Sequence, residues 1–361
     1  MKKLLTLGAI VALGSVFSAA AQQAQQQDQK FSEQMDVNAV LVDTVVTDRS
    51  GHQILGLGPD DFVVRENGVP QQIDSVDYFT NRRLLTDQES QAPFKAERIR
   101  SDRHFVIFLD KPGDNSQIDQ LMTAKRSAQR FIDERMQPGD RVAIVGDDVR
   151  LKVFSDFTTD KTALKKALDE SLRFGRGLTA PTPNAGGDSI LRNIDVSGMI
   201  NHTGTVYEAL ETLADALKPI HARKEVILIS PGILEQGQSV FAGMPSESRY
   251  YKPMIQALNA ANVSVYPINL MRDASLTDPI IHTTLERLAA DTNGEYFRSS
   301  VNFDNPLKKI EQDSSGYYLV TYRSHHPHGA SGYQKIEVSL RNPEFQVKGR
   351  EGYTYGEAQG R

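Results

Sequence analysis

Apolar and polar positions alternate in two separate parts of the chain, one near each end. Residues 36–80 show the spacing of β-strands, with the hairpin signal Asn67-Gly68 between two runs. Residues 316–354 return to the same alternation after a long interval. Neither set of strands is large enough to be stable alone, so the pattern predicts one β-sandwich to which both ends of the chain contribute.

Between these two parts, wholly apolar runs alternate with amphipathic segments. The first run, residues 104–110, ends on the carboxylate of Asp110, and residues 117–136 then place apolar side chains on one helix face. Further buried strands are predicted at 141–145, 151–154, 226–229 and 263–268, a last short strand at Tyr296 and Phe297, and a last helix at 306–311. This order predicts an α/β fold at 104–313, a doubly wound parallel sheet inserted in the β-sandwich.

The first residues have the three parts of an export signal. Lys2 and Lys3 precede an apolar run at 4–17, and small residues at 18–21 provide a cleavage site. A membrane anchor is the alternative, but a spanning helix needs about 20 apolar residues. We therefore expect residues 1–21 to be removed, no membrane span after signal cleavage, and an exported protein that is periplasmic or secreted.

Two further segments are predicted to lack packed structure. Residues 22–35 are rich in Gln and are expected to form a disordered lead, and residues 81–103 are charged and polar and are expected to be a linker.

Composition excludes several classes of function. A net charge of -5 and a pI near 5.9 argue against a nucleic-acid partner. The absence of cysteine excludes disulfides, thiol catalysis and cysteine-ligated metal. Neither a Gly-x-Ser-x-Gly elbow, a His-Glu-x-x-His motif nor a phosphate-binding glycine loop is present, so we expect no enzyme activity.

In a doubly wound sheet, ligands bind outside the carboxyl ends of the strands. Three segments are expected to meet there: 110–116, 201–205 and 230–235. They contain the residues that we predict to bind a partner, namely Asp110, Asp114, Ser116, Thr203, Thr205 and Ser230.

The layout resembles the von Willebrand factor type A (VWA) domain, and residues 36–354 resemble the VWFA-related family of exported bacterial proteins. The residues that carry the resemblance are Asp60-Asp61-Phe62, Glu66-Asn67-Gly68, Tyr317-Tyr318-Leu319, Thr321-Tyr322 and Gly352-Tyr353. The resemblance implies a non-catalytic binding or adhesion module with an unknown protein partner.

The resemblance also implies where a metal would bind. VWA domains often hold Mg²⁺ with an Asp-x-Ser-x-Ser motif, a Thr on a second loop and an Asp on a third. Asp110 matches the first position and Asp114 replaces the second Ser, but Pro112 and Pro231 stand where two oxygen ligands are needed. The Thr is Thr203 or Thr205.

Two of the five ligands are therefore lost, so we expect a degenerate site with no cofactor. If any metal binds, Asp110, Asp114 and Thr205 would hold it, because hard cations need oxygen ligands and above all carboxylates. The alternative function is metal-dependent binding, or hydrolase-type activity, at a residual Asp110/Asp114 site, in which His202 and Ser116 would be the other polar groups.

Three other features are weaker candidates. His325, His326 and His328 could ligate zinc or copper, although we expect a polar hairpin loop there. Asp147-Asp148 could be an acid/base pair, although we expect a solvent-facing turn. The long segment 175–200 could cover the binding face or be disordered.

Overall fold

A computed structural model describes most of the chain. The described residues are 35–80, 103–111, 118–147, 150–172, 187–195, 199, 204–220, 222–233, 247–270, 279–298, 302–327, 330 and 332–355. The predicted signal segment, almost all of the predicted lead and linker, and most of the 175–200 segment lie outside them.

The chain divides into two compact units. The smaller consists of Met1–Asn38 and His325–Ala330, in which the backbone N–H of Ala330 donates to the carbonyl of Pro327 at 3.0 Å. The larger consists of Ala39–Ser324 and Ser331–Arg361, and it contains the sandwich core, the α/β domain and the candidate site.

Strands from both ends of the chain form the two sheets of a β-sandwich. The N-terminal strands are β1 (Met35–Thr47), β2 (Phe62–Glu66), β3 (Val69–Gln71) and β4 (Ile73–Thr80). The C-terminal strands are β10 (Gly316–Pro327), β11 (Gly332–Leu340), β12 (Gln346–Gly349) and β13 (Gly352–Tyr355). One sheet has the order β12-β1-β10-β4 and the other has the order β13-β11-β2-β3.

The sandwich core contains one buried carboxylate among apolar side chains. Glu66 of β2 is 8% exposed and accepts hydrogen bonds from Tyr322 Oη at 2.7 Å, Ser324 Oγ at 2.7 Å and Tyr353 Oη at 3.0 Å. Because the acceptor comes from the N-terminal strands and all three donors from the C-terminal strands, this cluster ties the two ends of the chain together.

Along the chain, the α/β domain comes between the N-terminal and the C-terminal strands of the sandwich. Its strands are β5 (His104–Asp110), β6 (Arg141–Asp147), β7 (Leu151–Thr158), β8 (Lys224–Ser230) and β9 (Val263–Asn269). Its helices are α1 (Ile118–Arg130, continued by a π-helical turn at Phe131–Arg135), α2 (Lys161–Ser171), α3 (Ile190–Asn193), α4 (Val206–Leu217), α5 (Lys252–Ala260, preceded by a π-helical turn at Glu247–Tyr251), α6 (Pro279–Asp291) and α7 (Asp304–Asp313).

The five strands form one sheet of order β7-β6-β5-β8-β9, and helices cover both of its faces. Strands β6, β5, β8 and β9 are parallel neighbours. Alternate residues of each strand pack against α1, α2 and α7 on one face, and against α3, α4, α5 and α6 on the other. The predicted fold class, a doubly wound sheet inserted in a β-sandwich, is confirmed.

Several predicted elements differ from those of the structure. Strand β7 extends to Thr158 and is antiparallel to β6, because the few residues after Asp147 cannot form the crossover that a parallel strand requires. In place of the last short strand, Phe297 forms a single parallel bridge with Ile268. The last helix is longer than predicted, at Asp304–Asp313.

None of the helices in the described ranges is long and apolar enough to cross a membrane.

The carboxylate of Glu66 gives a test of the inserted architecture. Glu66→Ala removes the shared acceptor of three hydroxyl groups, and each buried polar group left without a partner costs about 1–3 kcal/mol. We expect the free energy of unfolding, measured by urea denaturation, to fall by about 3 kcal/mol or more.

Glu337→Ala, which removes an exposed carboxylate on the neighbouring strand β11, should change the free energy of unfolding by less than about 0.5 kcal/mol. Equal effects of the two substitutions would show that the Glu66 cluster does not join the two ends of the chain.

Candidate functional site

Four buried polar side chains form a row at the carboxyl ends of adjacent strands. Asp147, Asp110, Ser230 and Asn269 are the last residues of β6, β5, β8 and β9, and they are 6%, 6%, 0% and 0% exposed. Asp147 is in register with Asp110, and Ser230 with Asn269. Since side chains alternate along a strand, all four extend from the face that packs against α4 and α5. We call these four residues the polar row.

Asp110 and Ser230, both predicted site residues, are in direct contact. Ser230 Oγ donates to Asp110 Oδ2 at 2.5 Å, and the backbone N–H of Gly232 donates to Ser230 Oγ at 3.0 Å. Burial raises the pKa of Asp110 to about 8, the hydrogen bond from Ser230 opposes this change, and the charge of Asp147 adds to it. The Asp110 carboxyl group is therefore largely protonated at neutral pH.

Two members of the row, Asp147 and Asn269, are not among the predicted site residues. The expectation that Asp147 faces solvent in a tight turn is wrong, because it ends β6 and is 6% exposed. Asp148 lies outside the described residues. The signal that marked Asp110, a polar residue directly after an apolar run, was also present at Asn269 and, one glycine later, at Asp147.

Lys111 is a further buried polar residue beside the row. It is 6% exposed, its backbone N–H donates to the carbonyl of Asp147 at 2.9 Å, and its ammonium lies 5.4 Å from the ring centroid of Phe154. Because Lys111 follows Asp110 directly, its side chain leaves the strand on the opposite face from the polar row.

Thr205, predicted to bind a partner or metal, is the N-cap of α4. Its Oγ1 accepts from the backbone N–H of Glu208 at 3.2 Å, and the carboxylate of Glu208 accepts from the backbone N–H of Thr205 at 3.1 Å. Thr205 Oγ1 also lies 3.1 Å from Glu208 Oε2. This reciprocal capping box starts the helix and engages the hydroxyl group that a metal would need.

The described residues supply only part of the VWA metal pattern. Asp110 is paired with Ser230, the Thr205 hydroxyl caps a helix, and Pro231 has no side-chain oxygen. Within the described ranges, no three His, Cys, Asp or Glu side chains are grouped so that they could hold a metal ion. Burial raises the pKa of Asp110 to about 8, so a metal ion bound there at neutral pH would have to displace a proton.

Three predicted site residues, Asp114, Ser116 and Thr203, lie outside the described residues, as does His202. Their part in binding stays a prediction, as does that of Asp110, Thr205 and Ser230.

His325 and His326 do not lie in the predicted hairpin loop. His325 and His326 belong to β10, where His325 is exposed and His326 is buried, so their side chains leave opposite faces of the strand. Adjacent strand residues cannot direct both imidazoles at one metal ion. His328 lies outside the described residues.

No protein-family model matches the chain, and no curated protein matches it. Similar solved structures include the conserved hypothetical protein BatB from Bacteroides thetaiotaomicron, at 18% identity and a TM-score of 0.38, covering 59% of this chain and 97% of that chain. A von Willebrand factor type A protein from Catenulispora acidiphila is 11% identical with a TM-score of 0.41, covering 90% of this chain and 75% of that chain.

The vWF domain of the type V pili tip protein Mfa5 from Porphyromonas gingivalis is 15% identical, with a TM-score of 0.39, and covers 59% of this chain and 94% of that chain. Proteins of the VWA family, which the sequence resembles, are therefore among the structures similar to this chain.

The protonation of Asp110 predicts a specific dependence of stability on pH. Because the folded-state pKa of about 8 lies above the ordinary aspartate value of 3.8, the native protein keeps a proton there that the unfolded chain releases. The contribution of Asp110 to stability is thus fully present below pH 4 and is lost as pH rises towards 8.

Asp110→Asn removes this titration while keeping an oxygen that can accept from Ser230. We expect the stability of Asp110→Asn relative to the unsubstituted protein to rise by about 2–3 kcal/mol between pH 5 and pH 7, measured by urea denaturation. Parallel stability profiles for the two proteins would mean that Asp110 is ionised in the folded state.

Proposed function

We propose that this chain is an exported, non-catalytic protein-interaction module. It binds a protein partner through the loops at the carboxyl edge of its α/β sheet, and it does so without metal. The observation that carries the proposal is the polar row. Burying a polar side chain costs free energy, whereas burying an apolar one does not. Nevertheless, each of these four strands ends on a buried polar side chain, at the edge where folds of this class bind ligands.

The contacts within the row support a rigid platform for the binding loops. Asp110 and Ser230 are hydrogen-bonded to one another, and Asn269 Nδ2 donates to Tyr296 Oη at 3.3 Å. The backbone N–H of Leu270 donates to the carbonyl of Ser230 at 2.9 Å, which joins the next loop to the same strand end. A polar network whose members have partners fixes a unique arrangement of the chain.

The pairing of Ser230 with Asp110 has the form of a nucleophile with its base, but its environment argues against hydrolysis. Ser230 is 0% exposed, so a substrate could not reach its hydroxyl group. Burial keeps the Asp110 carboxyl group protonated at neutral pH, so it is a poor acceptor for the proton of a serine.

Charge reversal at the edge tests the proposal. Arg150, in the connection between β6 and β7, is exposed at this edge, and Asp114 is predicted to lie in the loop after β5. Thr205→Ala is unsuitable because it removes a helix cap worth about 1 kcal/mol. The matched control is Lys166→Glu, at a side chain of α2 that is 79% exposed.

The mature protein, residues 22–361, serves as bait for the exported fraction of the source organism, with quantitative mass spectrometry of the captured proteins. We expect Arg150→Glu with Asp114→Lys to lower recovery of the partner about tenfold, the change that 1.4 kcal/mol produces, and Lys166→Glu to leave it unchanged. Equal recovery of the partner with the unsubstituted protein, the double variant and Lys166→Glu would contradict the site assignment.

A further inference from the structure

Two turns at the amino edge of the α/β sheet hold asparagine in a left-handed conformation. Asn262 (φ 50°) follows α5, and Asn293 (φ 62°) follows α6. Glycine adopts this conformation at helix ends without strain, whereas asparagine is tolerated less well. Asparagine at both turns is therefore best explained by contacts that its amide makes.

Both amides contact the same residue of the β-sandwich. Asn262 Nδ2 donates to Asp43 Oδ2 at 2.5 Å, and Asn293 Nδ2 lies 3.5 Å from the backbone carbonyl oxygen of Asp43. Asp43 belongs to β1 and is 5% exposed. One buried residue of the sandwich thus meets two separate turns of the α/β domain, one through its carboxylate and the other through its backbone carbonyl.

Arg350, between β12 and β13, contacts the side-chain amide oxygen of Asn262. Its guanidinium donates to Asn262 Oδ1 at 3.3 Å and to the backbone carbonyl of Asn259 at 3.4 Å. Asn262 therefore donates to one sandwich residue and accepts from another. Its own backbone carbonyl accepts from the N–H of Lys224 at 3.2 Å, which fixes the turn to the first residue of β8.

An ion pair adds a second point of attachment. Lys348 of β12 lies 2.5 Å from Glu295 Oε2, two residues beyond Asn293, and 3.5 Å from Asp313 Oδ2 at the end of α7. The contacts at the amino edge of the sheet thus come from three turns or helix ends, each of which connects to a different part of the α/β domain.

We infer that Asp43, Asn262, Asn293 and Arg350 form an interdomain lock that holds the sandwich and the α/β domain as one rigid body. Domains joined within one chain move relative to one another unless their interface prevents it. The lock lies at the amino edge of the sheet and the polar row at the carboxyl edge. It therefore fixes the direction in which the carboxyl edge is presented relative to the sandwich strands, whatever that edge binds.

The absence of cysteine permits a direct test. Glu337→Cys on the sandwich and Lys166→Cys on α2 place spin labels at side chains that are 51% and 79% exposed. Pulsed electron paramagnetic resonance then gives the distribution of distances between the labels. In the otherwise unsubstituted mature protein we expect one narrow distribution.

Asn262→Gly keeps the left-handed turn but removes the amide, so folding is preserved while the lock loses its central contacts. We expect the distribution to broaden at least about twofold, as for domains without a fixed interface. Asn67→Gly is the matched control, because Asn67 (φ 49°) is also left-handed but lies in the hairpin between β2 and β3.

Broadening with Asn262→Gly and none with Asn67→Gly supports the lock. An unchanged width with Asn262→Gly, or equal broadening with both substitutions, would overturn it. Asp43→Ala, checked for folding by circular dichroism, should broaden the distribution as Asn262→Gly does, and an unchanged width with this folded variant would also overturn the inference.

Discussion

Burial of the central sheet on both faces is the constraint on which the rest of this structure depends. Every residue of β5, β8 and β9 is buried, and only the ends of these strands can carry polar groups close to solvent-exposed loops. Strands β5 and β8 therefore have polar side chains at both ends, and β9 has one at its carboxyl end. At the carboxyl edge these belong to the polar row, and at the amino edge they are His104 and Lys224.

The two edges have different roles in our account. The carboxyl edge carries loops whose supporting residues are hydrogen-bonded to one another, which suits a rigid binding platform. The amino edge carries the contacts with the sandwich. There Asn262, in the turn between α5 and β9, donates to Asp43, and Arg350 donates to the backbone at the end of α5. The α/β domain, inserted between sandwich strands, is thus attached to them by side-chain contacts as well as through the chain itself.

Much of this architecture could be predicted from the sequence. Runs such as 104–110 are too apolar for a strand with a solvent-exposed face, so they indicated a sheet covered on both faces. The alternation at both ends of the chain indicated strands that must pair with one another. The antiparallel direction of β7 was not predicted. It depends on the short connection from β6, and apolar periodicity gives no information about strand direction.

The site was predicted less completely, because it depends on alignment between strands. Asp110 and Ser230 could be found since each directly ends or follows an apolar run. Gly146 before Asp147 favours a turn at this point of the sequence, and only the register of β5 with β6 shows that Asp147 lies beside Asp110. The sequence alone does not show that the Thr205 hydroxyl caps a helix, because a threonine directly before a helix can serve either as an N-cap or as a metal ligand.

The central claim, a binding edge that works without metal, is tested most directly by titrating Mg²⁺ into residues 22–361, the chain without its predicted signal segment, by calorimetry, with Asp110→Ala as the control. Our account predicts no heat beyond that of the control up to millimolar Mg²⁺, because the Asp110 carboxyl group is protonated and paired with Ser230. Binding at micromolar to submillimolar concentration that Asp110→Ala abolishes would contradict it.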